Sequence, residues 1–126
     1  MNLEKGLTGK AELDVTDADT AIALGSGSVR VLGTPRVVAL AEAAAVDAVA
    51  DHLPSDDHTT VGMKIQIDHL SPSPVGAHVT TEACLEKIEG RRLTFKVTAH
   101  DGRGLIAAGR ITRVLVETPR FLDRLS

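Results

Sequence analysis

Tryptophan and tyrosine are absent from this 126-residue sequence, and the only aromatic side chains are two phenylalanines. A core drawn from it must therefore be built of Val, Ile, Leu and Ala. Cysteine occurs once, at Cys84, which excludes an internal disulfide and leaves no cysteine set with metal-ligand spacing. Basic charge is not in excess. The net charge is −3 with both signs spread along the chain, which argues against a nucleic-acid binder, whose surface must neutralise phosphates. Small basic clusters (Arg91 with Arg92, and Arg110 with Arg113) could serve one phosphorylated small ligand. No run approaches the roughly 20 apolar residues that cross a bilayer, and residues 1–6 lack the apolar stretch of a secretory signal. The sequence also lacks a G-x-S-x-G elbow, a P-loop and an H-E-x-x-H pair. These absences predict a soluble protein of a reducing compartment, the cytoplasm, with no metal and no membrane or nucleic-acid partner.

What is present fits one domain over residues 1–126, long enough to bury a core without staples. Residues 8–15 alternate as a short strand through Ala11, Leu13 and Val15. The Gly25-Ser26-Gly27-Ser28 segment reads as a loop or strand bend. Thr34-Pro35 then opens a long helix, with Thr as N-cap and Pro at the first helical position, running to about Asp51 or His52. Beyond Pro54 the period changes to two. Strands are expected over 59–70, 76–88, 92–100 and 104–117, with turns at Glu89-Gly90 and Asp101-Gly102. Strand, helix, then four antiparallel strands excludes a doubly wound parallel sheet, which needs helical crossovers. The expected class is α+β, an antiparallel sheet wrapped around one central helix.

The helix carries few charges. At about 100° per residue, Arg36, Asp47 and Asp51 share an arc of roughly 60°, and Glu42 lies about 150° from its middle among Val38, Ala45, Val46 and Val49. A helix so apolar all round is expected to be buried, which leaves two readings of Glu42: a paired structural carboxylate, or a functional group in an apolar cleft. His69 shares strand parity with Met63, Ile65 and Ile67, and ends their apolar face. Alone it reads equally as a core or rim histidine. N-capping suffices to explain Thr34, although its hydroxyl also meets the positive potential of a helix N-terminus. Gly62 interrupts a strand pattern, as at a bulge or a close backbone approach to a ligand. Cys84 has no base assigned to it and is not expected to be a nucleophile.

The stretch from Gly33-Thr34-Pro35 to Glu42-Ala43-Ala44 resembles the central helix of hotdog-fold thioesterases, in particular the fluoroacetyl-CoA thioesterase-like group. Val61-Gly62 to Asp68-His69, Glu89-Gly90-Arg91-Arg92-Leu93-Thr94-Phe95, and Ala99-His100-Asp101-Gly102 with Gly109 and Arg113 follow in the same order. The resemblance spans roughly residues 30–117. It implies a hotdog fold and hydrolysis of an acyl-CoA, with Thr34, Glu42 and His69 as the catalytic residues. It also implies that Gly62 and Arg113 contact the substrate. No cofactor is implied beyond the coenzyme A of the substrate itself. The implied assembly is a homodimer, or a tetramer of such dimers, with the site between one subunit's helix and the other's strands. The stretch before Thr34, from Ser26 to Gly33, lacks the aromatic gate of the fluoroacetyl-CoA enzymes, so another short or medium acyl group is expected. Three other readings stay open at this stage: an acyl-CoA-binding sensor without catalysis, a hotdog dehydratase or hydratase, and an interaction module with no small-molecule site.

Overall fold

The computed structural model describes residues 2–126; Met1, the first residue of the domain expected over 1–126, lies outside the described residues. Strand β1 (Thr8–Asp14) leads through a 3₁₀ turn (Asp17–Asp19) and the single-turn helix α1 (Ala21–Leu24) to the long helix α2 (Thr34–Val49). Strands β2 (His58–His69), β3 (His78–Glu89), β4 (Arg92–Asp101) and β5 (Gly104–Glu117) follow, then a short helix α3 (Thr118–Asp123). All pairings are antiparallel, in the order β1-β3-β4-β5-β2. The sheet curls about α2, which touches every strand. This is the expected hotdog architecture. Among the described residues no helix is long and apolar enough to cross a membrane.

Turn chemistry sets the two tight hairpins. Gly90 takes φ +60° between β3 and β4, a left-handed conformation that glycine adopts without steric cost. At the β4–β5 turn the Asp101 carboxylate accepts the backbone N–H of Arg103 at 2.8 Å. Strands β2 and β3, though consecutive, do not pair: β2 lies against β5 at the sheet edge while β3 lies beside β1. The connecting segment, carrying Pro72 and Pro74, crosses the end of the sheet instead. It is tied there by Leu70 N–H to Ile106 O, Leu32 N–H to Ser73 O, and the Ser73 hydroxyl to Asp101. Pairing between distant strands leaves no local sequence signal.

Helix α2 differs from expectation in three ways. It ends at Val49, its N-cap is Gly33 rather than Thr34, and it is not buried all round. Its core face carries Val37, Leu40, Ala41, Ala44 and Ala48, while Ala39, Ala43 and Val46 are exposed. The core face is small because the sheet comes close. A Cβ at Gly9 of β1 would fall on the Ala44 carbonyl oxygen and the Ala48 backbone. Leu85, Leu93, Phe95 and Ile111 fill the rest of that core, each fully buried. Each such side chain contributes about 1.5–3 kcal/mol by leaving water. The apolar strand face that His69 ends is exposed at Met63 and Ile65 on the β2 edge.

Candidate active site

Because Gly33 takes the N-cap position, the Thr34 side chain makes no capping hydrogen bond. It turns instead to the end of β2, where Thr34 Oγ1 lies 2.8 Å from His69 Nδ1. Capping therefore does not account for Thr34. His69 is half-buried, and its Nε2 is enclosed without a hydrogen-bond partner. Burial holds the imidazole pKa below the ordinary histidine value; the nearby Ser71 backbone opposes this in part. The neutral ring, able to accept a proton, is thus favoured. Beside this pair opens a cleft of about 340 Å³, lined by Ser26, Gly27, Ser28, Val29 and Leu70 among others. The Gly-Ser segment read as a loop forms one wall of it.

Two turns further along α2 a second group assembles. Glu42 Oε2 accepts from Arg113 Nη1 at 2.7 Å. Arg113 is only 7% exposed, and it is fixed by donating from Nε to Thr60 Oγ1 (2.9 Å) and from Nη2 to the Thr60 carbonyl (2.8 Å). The guanidinium of β5 is therefore a brace between the β2 backbone and the helix carboxylate. Gly62 stands against the same carboxylate, where a Cβ would come within 2.8 Å of Glu42 Oε2. The register between β2 and β5 shifts at Gly62/Lys64, so this glycine marks a bulge as well as a close approach. The side chain of Glu42 keeps 36% exposure, so it sits at the rim of the buried face and not at its centre.

The two groups do not meet within one chain. Thr34 and Glu42 are eight residues apart on α2, about 12 Å along the helix axis. One chain thus brings Thr34 to His69, and Glu42 to Gly62 and Arg113, and holds the pairs apart. Sequence reasoning missed Thr60, whose hydroxyl and carbonyl both fix Arg113, since a threonine in a strand carries no signal of its own. Among the described residues, no cluster of three or more His, Cys, Asp or Glu is placed to hold a metal ion.

Residues 15–119 match the sequence profile of the family described as FlK, fluoroacetyl-CoA-specific thioesterase. A fluoroacetyl-CoA thioesterase of Streptantibioticus cattleyicolor is 36% identical over 91 residues, 72% of this chain; the match spans 65% of that relative's length. A solved structure of the fluoroacetyl-CoA thioesterase FlK aligns with a TM-score of 0.91 at 28% identity, covering 99% of this chain and 96% of the other. A variant of FlK in complex with acetyl-CoA aligns with a TM-score of 0.90 at 29% identity, over 98% and 96% of the two chains.

Proposed function

This chain belongs to the fluoroacetyl-CoA-specific thioesterase family, and on that premise we propose that it hydrolyses a short- or medium-chain acyl-CoA to the free acid and coenzyme A. The observation that carries this reading is the carboxylate of Glu42, clamped by the buried Arg113 with the Cβ-free backbone of Gly62 beside it. A carboxylate in that setting can attack a thioester carbonyl, forming an anhydride as the carbon–sulfur bond breaks and the CoA thiolate leaves. Water then opens the anhydride to restore the carboxylate and release the acid. Alternatively Glu42 takes a proton from water, which attacks directly; the products are the same. Neutral His69 accepts a proton released by the attacking water, and Thr34 orients the ring. Backbone N–H near Gly62 stabilises the developing oxyanion. In this scheme Arg113 is a positioning residue, since its hydrogen bonds go to Thr60 and Glu42.

The acyl group occupies the cleft beside Thr34 and His69, which no aromatic side chain closes. That absence favours an acyl chain other than fluoroacetyl. The separation of the two groups argues for a homodimer with the site between subunits. In it, edge strands β2 pair antiparallel about the exposed run from Gly62 to Gln66, carrying the His69 end of one copy past the Gly62 end of the other. Such dimers can pair further into tetramers. The proposal places this chemistry in the cytoplasm and requires no cofactor beyond the coenzyme A of the substrate.

A thiol-release assay across acyl-CoAs from acetyl to aryl-acyl tests the reading. The protein is expected to release thiol, and Glu42→Gln to lose at least about 10²-fold in rate while remaining folded. Glu42→Gln at the wild-type rate would sink the assignment. Saturable binding of CoA esters without thiol release would instead identify an acyl-CoA sensor.

A further inference from the structure

A second cleft, of about 520 Å³, opens where the start of β2, the end of β5 and helix α3 meet. Arg91, Arg120 and Arg124 line it, with His58, Phe121 and a single carboxylate, Glu117. Five of the nine arginines in the chain are paired to carboxylates: Arg30, Arg36, Arg103, Arg110 and Arg113. Among the described residues the other four have no carboxylate partner, and three of those four converge on this cleft. In a chain of net charge −3 such a gathering is not average surface. The Arg110 and Arg113 cluster is neutralised by Glu86 and Glu42, so of the basic clusters in the sequence only Arg91 with Arg92 remains to meet an anion, and Arg91 is the one that lines the cleft.

We propose that this cleft binds the phosphates and adenine of the coenzyme A moiety, an inference that rests on the acyl-CoA reading above. Two further features favour that ligand over a bare anion. Phe121 is partly exposed on the cleft, whereas the other aromatic, Phe95, is fully buried; a flat apolar ring beside guanidinium groups suits an adenine. Distance also fits. The cleft begins at His58, four residues along β2 from Gly62, which is ~13 Å. The pantetheine arm from sulfur to the first phosphorus has about twelve bonds, the reach of roughly four extended residues. With the thioester at Gly62 and Glu42, the arm laid along the start of β2 delivers the diphosphate to Arg91, Arg120 and Arg124.

The test compares an acyl-CoA with the same acyl-pantetheine, which lacks the nucleotide, using the full chain and the double variant Arg120→Glu/Arg124→Glu. The wild type is expected to prefer acyl-CoA in kcat/KM. The double variant should lose at least tenfold of that preference through KM, and Arg120→Lys/Arg124→Lys should recover most of it. Loss on both substrates alike, or on neither, overturns the proposal. Calorimetric titration with 3′,5′-ADP reads the cleft even where no thioester is hydrolysed. Binding that the double variant abolishes keeps the site when the thioesterase reading fails; binding that the variant retains, or none by the wild type, removes it.

Discussion

Single atoms decide whether Glu42 can play its proposed part. Gly62 faces its carboxylate so closely that one added methyl group must displace it. Gly62→Ala meets only the end of a side chain, so the fold should tolerate it, with a melting temperature within a few degrees of wild type. Thiol release should nevertheless fall at least ~10-fold, since a misplacement of about an ångström can cost up to 10²-fold. Gly9→Ala makes the opposite case. Its Cβ meets the backbone of α2 at Ala44 and Ala48, which cannot yield without moving the helix, so about 1–3 kcal/mol of stability or more should be lost. Thermal denaturation beside the thiol assay separates the two. If Gly62→Ala turned over normally, the carboxylate could not be where the chemistry happens.

Between β1 and α2 the chain makes no regular pairing, and its form rests on one buried carboxylate, with Asp101 at the β4–β5 turn holding the neighbouring segment through Ser73. Asp19 accepts the backbone N–H and the hydroxyl of Thr16 and also pairs with Arg36 on α2. The Thr16 backbone bond foremost, with lesser help from the Thr16 hydroxyl and Arg36, holds its pKa below the ordinary carboxylate value. Asp101 is lowered likewise, chiefly by the Arg103 backbone N–H. A carboxyl whose folded pKa is depressed stabilises fully above its unfolded pKa and loses that stabilisation as pH falls through the folded value. The melting temperature should therefore drop as pH is lowered below about 4, and Asp19→Asn should flatten that limb. An unchanged acid limb in Asp19→Asn would remove Asp19 from the account. His78 acts with the opposite sign. Asp14 and then Glu12 raise its pKa, so its contribution is present below the unfolded histidine value and fades as pH rises through the folded one.

At the scale of the whole molecule, the proposed shared site makes one chain half of a working arrangement. Strand β2 presents an unpaired edge with Met63 and Ile65 exposed, and α2 shows Ala39, Ala43 and Val46 to solvent. Long apolar edges invite another strand. Sedimentation of the wild type should give a dimer or larger. Ile65→Arg should shift it toward the monomer with a parallel loss of thiol release, because Thr34 and His69 then lose the facing Glu42. A monomeric wild type with full activity would overturn both the assembly and the shared site.

The sequence by itself determined the elements and their kind. Alternation over 59–70 and 104–117, the turn residues at Gly90 and Asp101, and the Thr-Pro opening of α2 are local signals, and local backbone energetics reads them. It also flagged Glu42, His69 and Gly62, because a carboxylate on an apolar helix face, a histidine ending an apolar strand face and a glycine in a strand each break a pattern, whereas Thr34 read as a cap. Only the tertiary structure decided what those residues touch. That Gly33 caps the helix and frees Thr34 for His69, and that Thr60 and Arg113 brace Glu42, depends on strands far apart in sequence lying side by side. The place of β2 beside β5, the gathering of Arg91 with Arg120 and Arg124, and the distance between the Thr34–His69 and Glu42–Arg113 groups are likewise set by non-local packing. Periodicity along one chain reports which face a residue is on, not what comes to meet that face.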